Sequence, residues 1–146
     1  TGPIQSIKVD PMKSGGLGVV YRSPNKGRVS LYLYNERKDI LLVVDARFAW
    51  RREINTLVLN SKFADGKWGP EVRPEGFPFP CCEYVSTITV RVEIGAEGFT
   101  LSANGIEIAK YPYRDGLPPP VTEFQYVFQD QGASETAQLE SLSAYY

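Results

Sequence analysis

Within Asn55–Phe79, NTLVLNSKFADGKWGPEVRPEGFPF, a β-patterned stretch delivers Asn60 and the turn after it delivers Trp68, Glu71 and Arg73. One broad indole therefore stands beside an amide, a carboxylate and a guanidinium. An indole buries a large apolar area with little conformational freedom to lose, and hydrogen bonds to charged groups are shorter and roughly twice as strong as neutral ones. These capacities match a sugar ring, which presents C–H bonds on one face and hydroxyls around its edge. Two residues apart on an extended chain, Glu71 and Arg73 share a face, so each can hold the other while both meet a ligand. Each residue also has an ordinary reading. A Trp near a Gly-Pro turn is often half-buried core, and Glu-x-Arg is often a solvated ion pair.

The order of the whole segment resembles the galectin family, whose binding strands carry an Asn, then a Trp, then Glu-x-Arg and an apolar Phe-Pro-Phe-like strand. Here these are Asn60, Trp68-Gly69-Pro70-Glu71-Val72-Arg73 and Phe77-Pro78-Phe79. The segment Phe99–Arg114, FTLSANGIEIAKYPYR, is similar to the family's hairpin before its last core strands, so the resemblance runs from Leu17 to Phe128. It implies a His-x-Asn-x-Arg element one strand before the Asn, which falls on Val43-Val44-Asp45-Ala46-Arg47; only Arg47 is unchanged.

By that resemblance Arg47 would meet the axial 4-hydroxyl of galactose, with Asp45 standing where an amide would help. Asn60 and Glu71 would hold the 6-hydroxyl, Trp68 would stack on the ring, and Arg73 would brace the carboxylate. Val43 offers neither donor nor acceptor, and an ionised Asp45 can only accept. A neutral hydrogen bond is worth on the order of 1 kcal/mol net, so losing one or two weakens recognition of that hydroxyl by roughly tenfold to a hundredfold. The implied function is a non-enzymatic lectin for β-galactosides or related glycans with altered specificity. Arg51 and Glu53, in the segment Ala49–Glu53 expected as a loop after the Arg47 strand, are candidates for a second subsite. An exposed basic loop is the equal alternative.

Two other readings remain beside the lectin. Asp45, Arg47, Glu71 and Arg73 can form an ionic ladder across neighbouring strands that needs no ligand, in a fold retained as a structural or protein-interaction module. A glycoside hydrolase requires paired carboxylates about 5 to 10 Å apart, and a Glu71 committed to arginines leaves no evident general acid.

The elements that must position these residues are β-strands. Period-2 alternation recurs over ten short segments: 4–9, 18–22, 28–34, 39–48, 54–62, 87–94, 99–103, 106–111, 122–129 and 137–145. Gly-, Pro- and Asn-rich turns separate them. The pattern predicts an all-β fold, a two-sheet antiparallel jelly-roll sandwich of galectin or concanavalin type. Asn104-Gly105 predicts a two-residue type I′ hairpin. In Arg28–Tyr34 and Thr87–Ile94 the aliphatic residues should face inward, with Tyr, Thr, Arg and Glu outward. The stretch 137–142 fits an edge strand or a helical turn.

At 146 residues the chain is the size of one domain, 1–146, able to bury a core without a disulfide or a metal. With 16 basic and 17 acidic residues, a net charge of −1 and no basic run, nucleic acid is not an expected partner. No stretch reaches the roughly 20 apolar residues that span a bilayer. The opening TGPIQSIKVD lacks a basic segment followed by an apolar one, which points to cytoplasmic synthesis without a signal peptide, with later release from the cell left open. The two cysteines, Cys81 and Cys82, are adjacent, so a bridge between them would be strained, and free thiols are expected. With no His in the chain and no zinc-type Cys spacing, no metal or other cofactor is expected. One site per chain would gain avidity from a homo-oligomer presenting it to the glycans of glycoproteins or glycolipids.

Overall fold

The computed structural model describes residues 3–80 and 85–146. The expectation of free thiols at Cys81 and Cys82 lies outside the described residues. Ten strands follow one another: β1 (Ile4–Met12), β2 (Gly16–Arg22), β3 (Gly27–Tyr34), β4 (Ile40–Trp50), β5 (Glu53–Lys62), β6 (Thr87–Ile94), β7 (Gly98–Ala103), β8 (Ile106–Pro112), β9 (Val121–Gln129) and β10 (Gln138–Tyr145). They form two five-stranded antiparallel sheets, in the orders β1-β9-β3-β4-β5 and β10-β2-β6-β7-β8.

Alternation builds the core between these sheets. Val29, Leu31 and Leu33 of β3 and Val44 and Ala46 of β4 project inward, where they meet Leu17, Val19 and Tyr21 of β2 and Val90 and Val92 of β6, all at most 2% exposed. The residues between them face outward on the first sheet, and their register makes three rows across β3, β4 and β5. These are Tyr32–Val43–Asn60, Ser30–Asp45–Val58 and Arg28–Arg47–Thr56. Asp45, Arg47 and Asn60 lie in these rows because the strand register sets their face, and a one-residue slip would exchange the two faces.

The Asn104-Gly105 hairpin is as expected, with φ of 51° and 79° at its two central residues. The segment 137–142 enters β10, paired with β2, so the strand alternative holds there. Two expectations are corrected. The segment 49–53 is not an open loop, because β4 continues to Trp50, paired with Glu53, and the turn is only Arg51-Arg52, with Arg51 at φ 55°. Phe77-Pro78-Phe79 is not a strand. Pro78 and Pro80 have no N–H to give a ladder, and the Phe79 N–H instead bonds the Phe77 carbonyl (2.8 Å), a three-residue γ-turn. Its aromatic rings still serve the core, since Phe79 meets Phe48 edge-on at 5.3 Å and Phe77 at 4.8 Å.

At the open edge of the first sheet, Val72 makes a single antiparallel bridge with Leu59, through hydrogen bonds of 2.8 and 2.9 Å. That bridge sends Val72 to the side opposite Glu71 and Arg73. Ser61 of β5 bonds both the Leu41 carbonyl (2.8 Å) and the Tyr111 hydroxyl of β8 (2.6 Å), which ties the β5 edge of one sheet to the β8 edge of the other.

Candidate functional site

The three rows form the floor of an open groove of about 300 Å³ lined by Arg28, Tyr32, Val43, Asp45, Arg47, Val58, Asn60, Trp68, Gly69 and Glu71. Trp68 is 47% exposed, so its indole is not part of the core. Its turn is fastened to the sheet at several points. The Gly69 N–H donates to the Ser61 carbonyl (3.2 Å), Asn60 Nδ2 donates to the Gly69 carbonyl (2.8 Å), and the Ala64 N–H donates to the buried Asp39 carboxylate (2.8 Å). Lys62 Nζ stands 5.7 Å from the indole centroid, within cation–π range.

The charged residues close on one another. Arg47 Nε donates to Asp45 Oδ2 (3.0 Å) and Nη1 to Glu53 Oε1 (3.2 Å). Arg73 grips Glu53 with two hydrogen bonds (3.0 and 2.9 Å) and donates to Glu71 Oε1 (2.9 Å). Glu71 Oε2 returns to within 4.0 Å of Arg47 Nη2, completing a ring of two acids and two bases. The two-pronged Arg–carboxylate contact fixes angle as well as distance. Individual pairs this exposed add little stability, so their main physical effect is to hold the guanidinium and carboxylate groups still.

Asp45 sits beneath the ring with its side chain only 6% exposed. It accepts from Ser30 Oγ (2.9 Å), Arg47 Nε (3.0 Å) and Arg28 Nη1 (3.4 Å). Both its oxygens are thus engaged by protein, and Asp45 orients Arg47 from below. Asn60 is similarly employed. Its Oδ1 accepts from the Ser61 N–H (2.8 Å) and from Arg114 Nη1 (2.5 Å), and one N–H goes to Gly69. Among the described residues, the groups left without a hydrogen bond in the groove include Arg47 Nη2, Glu71 Oε2 and the second N–H of Asn60.

Of the residues expected at the site, Asp45, Arg47, Asn60, Trp68 and Glu71 line the groove, and Arg73 braces Glu71 from just outside it. Glu53 is drawn into the central ring. Arg51 lies in the hairpin turn, its guanidinium 5.4 Å from the Trp50 ring and its N–H bonded to Gln131. Val43, 5% exposed, forms an apolar floor. Three contributors escaped the sequence reading. Arg28 lies 4.5 Å over Trp50 and reaches Asp45. Tyr32 forms a wall of the groove. Arg114 holds both Asn60 and the Pro70 carbonyl (2.5 Å each). Arg28 and Tyr32 carried a signal, their outward parity on β3. For Arg114, 54 residues from Asn60, no local pattern gives one.

Two carboxyls near the groove are held below their ordinary values, 3.8 for Asp and 4.5 for Glu. Hydrogen bonds from Asn35 and from the Ala64 N–H do this for Asp39, and the hydrogen bond from Arg73 does so for Glu53. A carboxyl whose folded-state pKa is lowered contributes stability above its unfolded value, and that contribution is lost as the pH falls through the folded one. The melting temperature should therefore decline as the pH falls below about 5, mainly through buried Asp39. Asp39→Asn should flatten that decline. An equally steep decline in the variant would remove Asp39 as its source.

An exposed indole beside a fixed bracket of arginine and carboxylate, set on the outer face of a two-sheet sandwich, is the arrangement of a carbohydrate-binding lectin. The profile of the galactoside-binding lectin family matches residues 16–131, and the chain belongs to that family. It is similar to a tetrameric galectin from the ball sponge Cinachyrella sp., at 90% identity over 99% of this chain and 100% of that one, with a TM-score of 0.98. It also resembles a toad ovary galectin solved with thio-digalactose (22% identity, 99% of this chain and 100% of that one, TM-score 0.77). A homodimeric agglutinin from chicken liver, CG-16, is similar too (18% identity, 97% and 99% covered, TM-score 0.76). At 18% and 22% identity the likeness speaks for the fold alone. No curated protein matches the sequence.

Proposed function

We propose that the groove binds a β-galactoside or a related glycan, carried on glycoproteins or glycolipids, with a specificity shifted from that of a site bearing the usual His and Asn. The observation that carries this reading is the pairing of a 47% exposed Trp68 with unengaged hydrogen-bonding groups on Arg47, Glu71 and Asn60. The indole covers the C–H face of the sugar, and those groups meet its hydroxyls. Arg73 acts through Glu71, and Asp45 through Arg47. The shift in specificity follows from Val43, which contributes no hydrogen bond, and from Asp45, whose oxygens are already taken. Arg51 remains a candidate for contact with a second sugar, beyond the hairpin turn. The sponge galectin similar to this chain is a tetramer, and a like assembly would convert weak single sites into avidity.

A glycan array followed by titration with lactose and thio-digalactose tests the reading, with saturable binding of galactosides expected. The engaged state of Asp45 and Asn60 favours one other reading, a galectin-type module whose sugar site has decayed. A stable oligomer with no response to any glycan on the array would establish that reading and overturn the first.

A further inference from the structure

The geometry points to Tyr32 as a specificity-determining residue of this groove, its hydroxyl supplying the polar contact to the ligand that Val43 cannot make. This inference rests on the proposal that the groove binds a glycan. Val43 on β4 is paired with Tyr32 on β3 and with Asn60 on β5, so the three share one row of the groove. Val43 is the only one of the three without a polar atom in its side chain. Tyr32 is therefore the polar neighbour on the side away from Trp68's turn, which is fastened to Asn60.

The phenol is held in place yet chemically free. Its ring stacks on that of Tyr34, with centroids 5.9 Å apart and planes 19° from parallel. Tyr34 is in turn anchored, its hydroxyl donating to Gln125 Oε1 (3.1 Å) while Gln125 Nε2 donates to Ser6 Oγ (3.1 Å). The Tyr32 hydroxyl, by contrast, has no hydrogen-bond partner among the described residues. A phenol both donates and accepts, unlike Asp45, whose carboxylate only accepts. With only two side-chain torsions, already restrained by stacking, it also loses little entropy when a ligand arrives. A ligand hydroxyl lying over the Val43 methyls would have this phenol on the β3 side and the remaining N–H of Asn60 on the β5 side, and of the two only the phenol can also accept from it.

The test is titration calorimetry of Tyr32→Phe and Trp68→Ala against lactose and its monodeoxy analogues, with melting curves to confirm the fold. Tyr32→Phe should weaken lactose binding by about tenfold, the worth of one hydrogen bond. Wild type and variant should then bind equally well to the analogue deoxygenated at one ring position, since removing either partner removes the same interaction. If Tyr32→Phe binds lactose as wild type does while Trp68→Ala fails, the inference about Tyr32 falls and the groove reading stands. A loss equal across every analogue would also overturn it, because the hydroxyl would then act on the protein and not on the ligand. Lactose binding that survives both substitutions, or a wild-type protein that responds to no glycan, would overturn the groove reading and this inference together.

Discussion

Trp68→Ala should abolish measurable glycan binding while leaving the melting temperature within about 2 °C of wild type. The two halves of this expectation have separate causes. With 47% of its surface exposed, the indole leaves little of the core to disturb, and the turn that carries it is held through the Gly69 backbone, Asn60 and Asp39. What is lost is the apolar platform. Covering an indole face with a ring is worth on the order of 2 to 3 kcal/mol, a factor of roughly thirty to more than a hundred in affinity. A monovalent galactoside bound weakly to begin with would pass below detection. Trp68→Phe should recover part of the loss, since a smaller ring still offers a flat face. Calorimetry on both variants, alongside their melting curves, checks this. Full affinity in Trp68→Ala would place sugar binding elsewhere on the molecule, and a large fall in melting temperature would mean that the indole is structural after all.

The sequence spoke most clearly about which face each residue would take and least about who its neighbours would be. Alternation in Arg28–Tyr34 settles that Tyr32 points outward, and the structure agrees. It does not settle that Tyr32 lies beside Val43, because that depends on the register between β3 and β4. A residue read as ordinary outer surface therefore becomes a wall of the groove. Glu53 shows the same gap. Two residues after Arg51 it resembles part of an exposed loop, yet continuing β4 to Trp50 and turning on Arg51-Arg52 brings it back against Arg47 and Arg73. The Asn104-Gly105 hairpin was legible because its cause is local, two successive residues tolerant of positive φ. Phe77-Pro78-Phe79 was expected as a strand only from the family resemblance, whereas its prolines cannot supply the ladder. Arg114 could not be anticipated, because its contacts with Asn60 and Pro70 exist only once the two sheets have packed and β5 lies against the segment leaving β8.

Asp45 is where reasoning from the resemblance and reasoning from the structure diverge most, and its substitution should be the more destructive of the two. Judged as a ligand contact, the carboxylate is a poor replacement for an amide. Within the fold it is the common acceptor of Ser30, Arg28 and Arg47, with its side chain only 6% exposed. Asp45→Ala would leave two arginines side by side above an unfilled space, with no acceptor for either. Breaking a buried ion pair by removing one partner costs 3 to 5 kcal/mol. The arginine side chains are 23% and 16% exposed, so partial solvation brings the expected loss to about 3 kcal/mol. Asp45→Asn keeps the shape. Its amide N–H₂ can turn toward Ser30, whose hydroxyl is able to accept, leaving the amide oxygen for Arg47. The order of stability in urea should therefore be wild type, then Asn, then Ala. Glycan affinity should fall in the same order, because Arg47 is aimed at the groove by the group beneath it. If Asp45→Ala proved as stable as wild type, the buried carboxylate would not be the anchor of this network. If the Asn variant bound galactosides more tightly than wild type, the charge at this position would itself be what turns the site away from them.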